Sequence, residues 1–339
     1  MVINLTLDDL RKNIDRIDEE ILNSLAKRKK LIKEIATLKK SMKIPVLDKG
    51  REKLVLDNLK KKAKENKLDA DLVASIYSLI FENSKIEQEI ENSDKKCRIK
   101  EIGLIGFGRF GRLAAGYLSE NFKVCVFNKD NYKSNLKNII FSKLEDVCKK
   151  EVIMLAVPIS DLNEILKKIR NLVKKDALII DVCAVKEYPV KLMQKMLSKN
   201  TQILATHPLF GPDSASGSLV GRKIVLCRTR INDKLYNEVK SFLKGKGLVV
   251  IESTPKEHDE QIAKSLALTH FIGRALIEMK AANAAIDTQG YKNLIKIINT
   301  VQNDTIQLFQ DMNHYNKYAK KVRDDFITSV NTVDKRIRK

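Results

Sequence analysis

The stretch IKEIGLIGFGRFG, residues 99–111, decides the fold of the middle of this chain. An apolar run leads into a glycine-rich turn, and RLAAGYL continues from it with a helical pattern. This order of strand, turn and helix is typical of a unit that binds a dinucleotide through close backbone approach and a helix N-terminus. The cofactor-binding candidates within the turn are Gly106, Gly108, Arg109, Phe110 and Gly111.

Further short β-branched runs alternate with helical stretches after this turn. They read KVCVFN, EVIMLAVP, ALIIDVC and TQILATHP, and the alternation predicts an α/β doubly wound parallel sheet. The first of them ends at Asn128 and Lys129, where NAD-binding proteins usually place an acidic residue for the ribose hydroxyls. Because a neutral donor followed by a cation suits a 2′-phosphate, we expect NADP, with NAD as the alternative.

The sequence on both sides of this region predicts helices. Before it we expect one long helix over about 6–42, with Thr6 as a possible N-cap, and two more over about 51–66 and 69–91. From about residue 257 the helical pattern returns. The chain is therefore predicted to be multidomain: an all-α domain (1–92), a polar linker (93–98), a dinucleotide-binding domain (99–254) and an all-α C-terminal domain (255–339).

Composition argues against several classes of protein. The formal net charge is +21, but aromatic residues make up 6% and no basic motif interleaved with aromatic residues appears, so we expect no nucleic-acid partner. The five cysteines are scattered singly, which suits reduced thiols in the cytoplasm better than a disulfide frame or a zinc site. Apolar runs are too short to cross a bilayer, and no clustered metal-ligand spacing predicts a metal.

The first helix contains cations at positions where its core stripe should be apolar. Arg11, Arg28 and Lys39 fall on the stripe that includes Ile21 and Ile32. At about 1.5 Å per residue, Arg11 and Arg28 lie roughly 25 Å apart, so both reach one small ligand only if Arg11 comes from a second copy packed antiparallel. These side chains either extend to water or form a polyanion site in a homodimer.

Several later polar residues belong with these cations. Asp48, Arg51 and Glu52 follow the loop after the first helix, and Ser84 and Gln88 stand one turn apart on the third. The whole set resembles the all-helical chorismate mutase family over residues 7–90. The resemblance implies substrate-binding roles for Arg11, Arg28, Asp48, Arg51, Glu52 and Ser84, and catalytic roles for Lys39 and Gln88 at the ether oxygen of chorismate.

The chemistry of that family agrees with these residue types. Rearranging chorismate to prephenate is unimolecular and requires a dianion held in a compact conformer, with donors directed at an oxygen that gains negative charge. Cations in an apolar setting provide both, because charges interact more strongly there than in water.

A second resemblance covers residues 100–325. GFGRFG, DVCAVKE (181–187), THPLFGPDS (206–214), EHD (257–259), LTHFIGR (268–274) and TQGYKNL (288–294) are similar to the prephenate/arogenate dehydrogenase family, and the last two are closer to its arogenate branch. The resemblance implies that His207, just past a predicted strand, is the catalytic base for the ring hydroxyl. Loss of carbon dioxide would follow hydride transfer to the nicotinamide. We assign no chemistry to His258 or His314, and expect EHD to cap the helix that follows.

Two departures from that family affect the predicted dehydrogenase. Ala184 stands where members often have a serine that orients substrate and histidine, and DTIQLF (304–309) lacks the late-helix arginine of the prephenate branch. We take His270 and Arg274 as substitute substrate-binding candidates. The predicted function is chorismate mutase fused to prephenate dehydrogenase; the alternatives are an arogenate dehydrogenase, or an active mutase whose second half has become a nucleotide-sensing or dimerisation module.

Overall fold

The N-terminal part is a bundle of three helices. The structure, a computed structural model, describes residues 6–93, 98–130 and 136–338. Helix α1 spans Leu7–Ser41, α2 spans Lys49–Glu65 and α3 spans Ala70–Asn92. Thr6, the predicted N-cap of α1, also forms a capping box with Asp9, and the Asp48 and Asp69 carboxylates cap α2 and α3. The three predicted helices are confirmed. Residues 94–97 of the predicted linker lie outside the described residues.

The middle of the chain forms an eight-stranded sheet in the order β3-β2-β1-β4-β5-β6-β7-β8. The strands are β1 Glu101–Ile105, β2 Lys123–Phe127, β3 Ile139–Phe141, β4 Val152–Leu155, β5 Leu178–Asp181, β6 Gln202–Pro208, β7 Lys223–Arg230 and β8 Val249–Glu252. Strands β1 to β6 pair in parallel, as predicted. Strand β7 runs antiparallel to β6, because residues 209–222 contain only a four-residue helix and a parallel return needs a longer crossover.

Eleven further helices follow within the described ranges. They are α4 Arg109–Ser119, α5 Leu144–Cys148, α6 Leu162–Ile169, α7 Glu187–Met196, α8 Pro212–Ala215, α9 Asp233–Gly245, α10 Pro255–Ile262, α11 Leu268–Glu278, α12 Gln289–Val301, α13 Ile306–His314 and α14 Ala319–Ile337. A π-helical turn, Ala263–Ala267, joins α10 to α11. None of the helices in the described ranges is long and apolar enough to cross a membrane.

The chain divides into two compact units. One contains the described residues of 1–96 with 218–222 and 238–249, and the other contains the described residues of 97–217, 223–237 and 250–339. In the second unit, Met312 and Ala319 from the C-terminal helices belong to the same buried core as Leu155 and Ile179 of the sheet. The sheet and these helices therefore share one core, and the boundary drawn at residue 254 stays a prediction.

Candidate functional site

The first candidate site lies where α1 packs against α3. A cavity of about 370 Å³ is lined by side chains of both helices, including Ile32, Leu79 and Ile80. Arg28 reaches into this lining from α1, and its Nη1 donates a hydrogen bond to the hydroxyl of Ser84 on α3. The site thus combines apolar walls with a fixed guanidinium, a setting that suits an anionic ligand with an apolar ring.

Gln88 and Lys39 stand on the same two helices. Gln88 is buried and its Nε2 donates to Ser84 O at 3.3 Å, while its Oε1 has no hydrogen-bond partner among the described residues. Lys39 is half-buried, and its Nζ donates to Val46 O at 2.8 Å, in the loop after α1. A buried amide oxygen without a partner is costly in a folded protein, and Oε1 can only accept, so it suits a donor on a ligand. The amide nitrogen has two N–H groups, and the one that Ser84 O does not use is the donor for a ligand oxygen.

The remaining predicted residues of this site lie along α2 and at the start of α1. Asp48 caps α2 by accepting a hydrogen bond from Arg51 N at 2.9 Å. Glu52 is half-buried and pairs with Lys85 at 3.0 Å. The side chain of Arg11 is exposed and pairs with Asp8 at 3.4 Å. Within this single chain the structure joins Arg28, Ser84 and Gln88, and leaves Arg11 outside that cluster.

The second candidate site begins at the glycine turn between β1 and α4. Gly106 has a φ of +102°, and a Cβ there would lie 2.3 Å from Ala156 O. A Cβ at Gly111 would lie 2.3 Å from Gly106 O, so this glycine lets the helix pack against the turn. A Cβ at Gly108 would meet no protein atom within 4 Å. The first and third glycines therefore serve the fold, while the second lines open space at the N-terminus of α4, which suits a dinucleotide phosphate.

Asn128 and Lys129 follow β2, as the sequence predicted. Asn128 Oδ1 accepts a hydrogen bond from Phe107 N at 2.9 Å and so steadies the glycine turn. Lys129 Nζ lies 3.3 Å from Asp161 Oδ2, with both side chains exposed. The structure places Asn128 against the turn, and residues 127–129 at the end of β2 include no carboxylate.

Arg109 and Phe110 point toward neighbours in the same unit. Arg109 Nη2 binds both carboxylate oxygens of Asp213, at 2.8 and 2.9 Å, and Nη1 lies 3.6 Å from Asp304 Oδ1. The Phe110 ring lies 6.3 Å from the Phe210 ring. Their side chains therefore attach the glycine turn to the segment that follows His207, and their predicted contact with cofactor stays a prediction.

His207 is buried at the end of β6, where it faces a second histidine. The sequence analysis placed it just past the strand; β6 in fact continues to Pro208, because residues 207 and 208 pair with Val225 and Ile224 of β7. His207 Nδ1 lies 2.8 Å from His258 Nε2, and His258 Nδ1 lies 2.7 Å from Asp259 Oδ1. Burial lowers the pKa of His207 well below its usual value, and the charges of His258 and Lys186 lower this pKa further.

A buried ion pair lies next to these histidines. Lys186 Nζ donates to Asp181 Oδ2 and to Thr206 O, and both charged side chains are fully buried. Lys186 N also donates to Asp259 Oδ1 at 2.7 Å. The DVCAVKE segment thus ties the ends of β5 and β6 to the start of α10, next to the His207 imidazole.

His270 and Arg274 lie on α11 in one polar cluster with Asp304. His270 is buried, its Nε2 lies 3.7 Å from Asp304 Oδ2, and its Nδ1 has no partner among the described residues. Burial lowers the pKa of His270, and the Asp304 charge opposes this. The Arg274 guanidinium donates to the carbonyls of Val301 and Asp304. Arg274 is therefore engaged through Nη2 by carbonyls at the end of α12 and just after it, while Arg274 Nε and His270 Nδ1 have no partner among the described residues.

Comparison with known proteins decides the identity of the first unit. Residues 10–89 match the family model for chorismate mutase type II. A chorismate mutase of Methanocaldococcus jannaschii is 36% identical over 95 residues, which are 26% of this chain and 96% of that protein. The chain belongs to the chorismate mutase family.

The rest of this chorismate mutase family member matches dehydrogenases. Residues 120–252 match the model for the nucleotide-binding domain of prephenate dehydrogenase, and residues 275–339 match a TYRAAT1-like C-terminal domain. Arogenate dehydrogenase 1 of Arabidopsis thaliana is 30% identical over 249 residues, 70% of this chain but only 38% of that protein. The T-protein of Haemophilus influenzae is 26% identical over 276 residues, 78% of this chain and 68% of that protein.

A solved structure shares the fold of this second part. Prephenate dehydrogenase from A. aeolicus, in complex with hydroxyphenyl propionate and NAD+, superimposes with a TM-score of 0.56 at 22% identity, over 72% of this chain and 92% of that one. The order predicted from sequence is confirmed: an all-helical mutase domain, a dinucleotide-binding sheet and C-terminal helices.

The sequence analysis missed the contact between the two histidines. It gave EHD a capping role, which the structure confirms for Glu257, because the Glu257 carboxylate accepts from Thr254 N in a capping box. The next residue, His258, faces His207 instead, and Asp259 contacts the other ring nitrogen of His258. The sequence did contain a signal, because two ionisable residues directly follow the capping residue Glu257. Their neighbours in the sequence do not show which distant buried group they contact. In the described ranges, no group of three His, Cys, Asp or Glu side chains is placed to hold a metal.

Proposed function

We propose that this chain is a bifunctional enzyme of tyrosine biosynthesis. Its first unit rearranges chorismate to prephenate. Its second unit oxidises prephenate, with loss of carbon dioxide, to 4-hydroxyphenylpyruvate. The observation that supports the first activity is the contact of Arg28 with Ser84 beside an apolar cavity. The observation that supports the second is the buried His207 at the end of β6.

In the mutase site the protein has to bind the negative charges of the substrate and hold its ring in the compact conformer. Arg28, oriented by Ser84, binds a carboxylate of chorismate, and the apolar lining of the cavity favours the compact conformer of the ring. Lys39 and Gln88 donate to the ether oxygen as the C–O bond breaks, Glu52 and Asp48 hold the ring hydroxyl side, and Arg51 binds a carboxylate. No proton transfer or nucleophile is needed.

A second copy of the chain completes the mutase site in this proposal. Between residues 14 and 25 of α1, five large apolar side chains are at least 40% exposed: Ile14, Ile17, Ile21, Leu22 and Leu25. Such a face is unfavourable in water and favours a helical partner. Antiparallel packing of two α1 helices would cover it and bring the partner subunit's Arg11 toward the ligand. A double change, Ile17→Lys with Ile21→Lys, should give monomers by analytical ultracentrifugation and abolish mutase activity.

In the dehydrogenase half, His207 acts as general base. Its imidazole is kept neutral near pH 7 by burial, so it accepts the proton of the ring hydroxyl. When bound, the nicotinamide dinucleotide supplies the hydride acceptor for the carbon that bears this hydroxyl. Departure of carbon dioxide then leaves an aromatic ring, which makes the step irreversible. His270, with a ring nitrogen still free, contacts the substrate together with Arg274.

The proposed cofactor is NADP. The space in front of Gly108 accommodates a pyrophosphate, and Gly106, Gly111 and the backbone of Arg109 and Phe110 shape the turn around it. Asn128 uses its Oδ1 within the protein, so the end of β2 offers the cation of Lys129 rather than a carboxylate for the ribose. The four described cysteines are free and buried, which supports a cytoplasmic, reducing setting.

Arogenate is a second candidate substrate of the dehydrogenase. Arogenate carries an ammonium group where prephenate carries a keto group. The Asp304 carboxylate beside His270 offers this ammonium a counter-charge. Similarity to arogenate dehydrogenases 1 and 2 of Arabidopsis thaliana, at 30% and 28% identity, supports this candidate.

One set of assays tests both activities. Purified protein receives chorismate, prephenate or arogenate with NADP or NAD, while loss of chorismate and gain of reduced nicotinamide are followed. Arg28→Ala should abolish chorismate consumption and leave prephenate oxidation intact, and His207→Asn should do the reverse. Chorismate consumption without turnover of either dehydrogenase substrate would refute the second activity. A rate with arogenate far above that with prephenate would assign arogenate as the substrate.

A further inference from the structure

We propose that His258 and Asp259 hold the imidazole of His207 in the one tautomer that leaves its Nε2 atom as the base. In this chain that contact takes the place of the orienting serine, whose position Ala184 occupies. The proposal deepens the proposed dehydrogenase function and rests on it, and His258 acts as a positioning residue because it reaches the reaction through His207.

The chain of hydrogen bonds that fixes the tautomer ends at the Asp259 carboxylate, which accepts. Its Oδ1 accepts a hydrogen bond from Lys186 N at 2.7 Å, and its Oδ2 accepts one from Glu187 N at 2.9 Å. A backbone N–H can only donate, so both carboxylate oxygens act as acceptors here. The third neighbour, His258 Nδ1 at 2.7 Å from Oδ1, must then also donate. Asp259 therefore fixes the proton of His258 on Nδ1.

The direction of the next contact follows from this proton. A neutral imidazole with its proton on Nδ1 has a lone pair on Nε2. His258 Nε2 therefore accepts, and His207 Nδ1, 2.8 Å away, must carry the proton that is donated. His207 then has its own lone pair on Nε2, the ring nitrogen directed away from His258. The same two contacts fix both the ring orientation and the tautomer of the base.

The surroundings keep both imidazoles neutral, as this arrangement requires. Burial lowers the pKa of His258, and the hydrogen bond that His258 donates to Asp259 opposes this; burial lowers the pKa of His207 more strongly. The charged groups that face them are Lys186, Asp181 and Asp259; the nearby cation of Lys186 disfavours a second positive charge. Both rings are therefore neutral near pH 7, and each has one nitrogen that donates and one that accepts.

The support for His258 is itself rigid. Asp259 sits on α10, whose N-terminus is capped by Thr254 and Glu257. Asn316 Nδ2 donates to Asp259 O at 2.9 Å. Both His258 and Asp259 are at most 3% exposed. Ala184 has only a methyl group and can hold neither ring nitrogen, so the orientation of His207 depends on the contact with His258.

The direct test is nitrogen NMR of the full chain with ¹⁵N-labelled histidine, assigned with His207→Asn and His258→Gln. We expect His207 as the Nδ1–H tautomer at pH 7.5, without added substrate. His207 protonated on Nε2 would overturn the proposal, whatever the activity of the enzyme. This readout separates the two claims: correct tautomer without turnover by the wild type would refute the proposed function alone.

Kinetics of two variants provide the second test. His258→Phe removes the acceptor and should lower kcat with prephenate or arogenate at least tenfold, with KM, NADPH affinity and mutase rate unchanged. His258→Gln places an amide oxygen near the former Nε2 and should keep kcat within about threefold of the wild type. A folded His258→Phe variant with wild-type kcat would overturn the proposal. If that variant does not fold, a wild-type-like rate in His258→Gln supports the proposal, and a loss as large as in His207→Asn overturns it.

Discussion

Replacing Gly108 by alanine tests whether the open space at the N-terminus of α4 is reserved for a dinucleotide. An alanine Cβ at this position would meet no protein atom within 4 Å, and the φ of −67° is one that any residue adopts. The protein by itself therefore has no steric reason to keep a glycine here. A bound pyrophosphate would supply that reason, because it lies against the backbone of the turn.

The expected change in stability is small. Gly108 is the N-cap of α4, and alanine is less favourable than glycine there by roughly 0.5–1 kcal/mol. Alanine also lowers the conformational entropy of the unfolded chain, which stabilises the folded protein by about 0.4–1 kcal/mol. The two contributions nearly cancel. In binding, by contrast, the methyl group displaces the phosphate from the backbone donors, and each hydrogen bond to a charged group contributes about 1.5–3 kcal/mol. NADPH affinity should therefore fall at least tenfold.

Two matched glycines in the same helix serve as controls. A Cβ at Gly116 also meets nothing within 4 Å, so Gly116→Ala should leave NADPH binding unchanged and stabilise the protein by about 0.5–1 kcal/mol. Gly111→Ala would force a Cβ to 2.3 Å from Gly106 O and should destabilise the protein by about 1–3 kcal/mol. NADPH fluorescence titration and urea unfolding measure the two quantities separately. Wild-type NADPH affinity in a folded Gly108→Ala variant would refute the assignment of this space.

Three further predictions concern the region around His207. Lys186→Met leaves the buried Asp181 carboxylate without its cation and should cost about 3–5 kcal/mol in urea unfolding; the double variant with Asp181→Asn should regain part of this, and an unchanged midpoint in the single variant contradicts the expectation. The pKa values of His207, His258 and His270 are lowered in the folded state, so the stability due to neutral imidazoles is complete above about pH 6.5 and is lost as pH falls below it. As pH falls, each histidine should lower the free energy of unfolding by up to about 1.4 kcal/mol per pH unit. A free energy of unfolding that stays constant from pH 6.5 to 5.5 would disprove this. Ala184→Ser restores the hydroxyl that related dehydrogenases often have, but because His258 already orients His207 in this chain, kcat should stay within about twofold of the wild type; a rise of about fivefold or more, the value of roughly 1 kcal/mol for one hydrogen bond, would contradict the orienting role of His258.

Local signals in the sequence were enough for most of the secondary structure. The cap at Thr6 and the break around Pro45 and Gly50 predicted the extent of α1, and five strands followed from β-branched runs ahead of turns. Strands β3, β7 and β8 were not predicted. The first has only three residues, and the other two depend on pairing at the ends of the sheet, which a local pattern does not encode.

The backbone of the glycine turn could be predicted because the motif fixes its geometry. A tight turn at Gly106 leads from β1 into α4 where the glycine spacing predicted it, because steric limits act over a few residues. Side-chain partners depend on long-range packing instead. Arg109 was predicted to face a cofactor and binds Asp213, more than a hundred residues later in the chain. His258 faces His207 for the same kind of reason.

The hydrogen bond from Phe107 N to Asn128 Oδ1 has a consequence for how cofactor choice could change in evolution. An aspartate has nearly the same shape as asparagine and offers the same oxygen to Phe107 N. Its second oxygen would replace the amide nitrogen, adding an acceptor for ribose hydroxyls and repelling a 2′-phosphate. The amide nitrogen donates to Asp130 O at 3.4 Å, outside the glycine turn. On the proposed preference for NADP, a single-base exchange in a codon for Asn128 would thus redirect the enzyme toward NAD, with the loss of that one long hydrogen bond. Dissociation constants of NADH and NADPH for Asn128→Asp would reveal such a reversal.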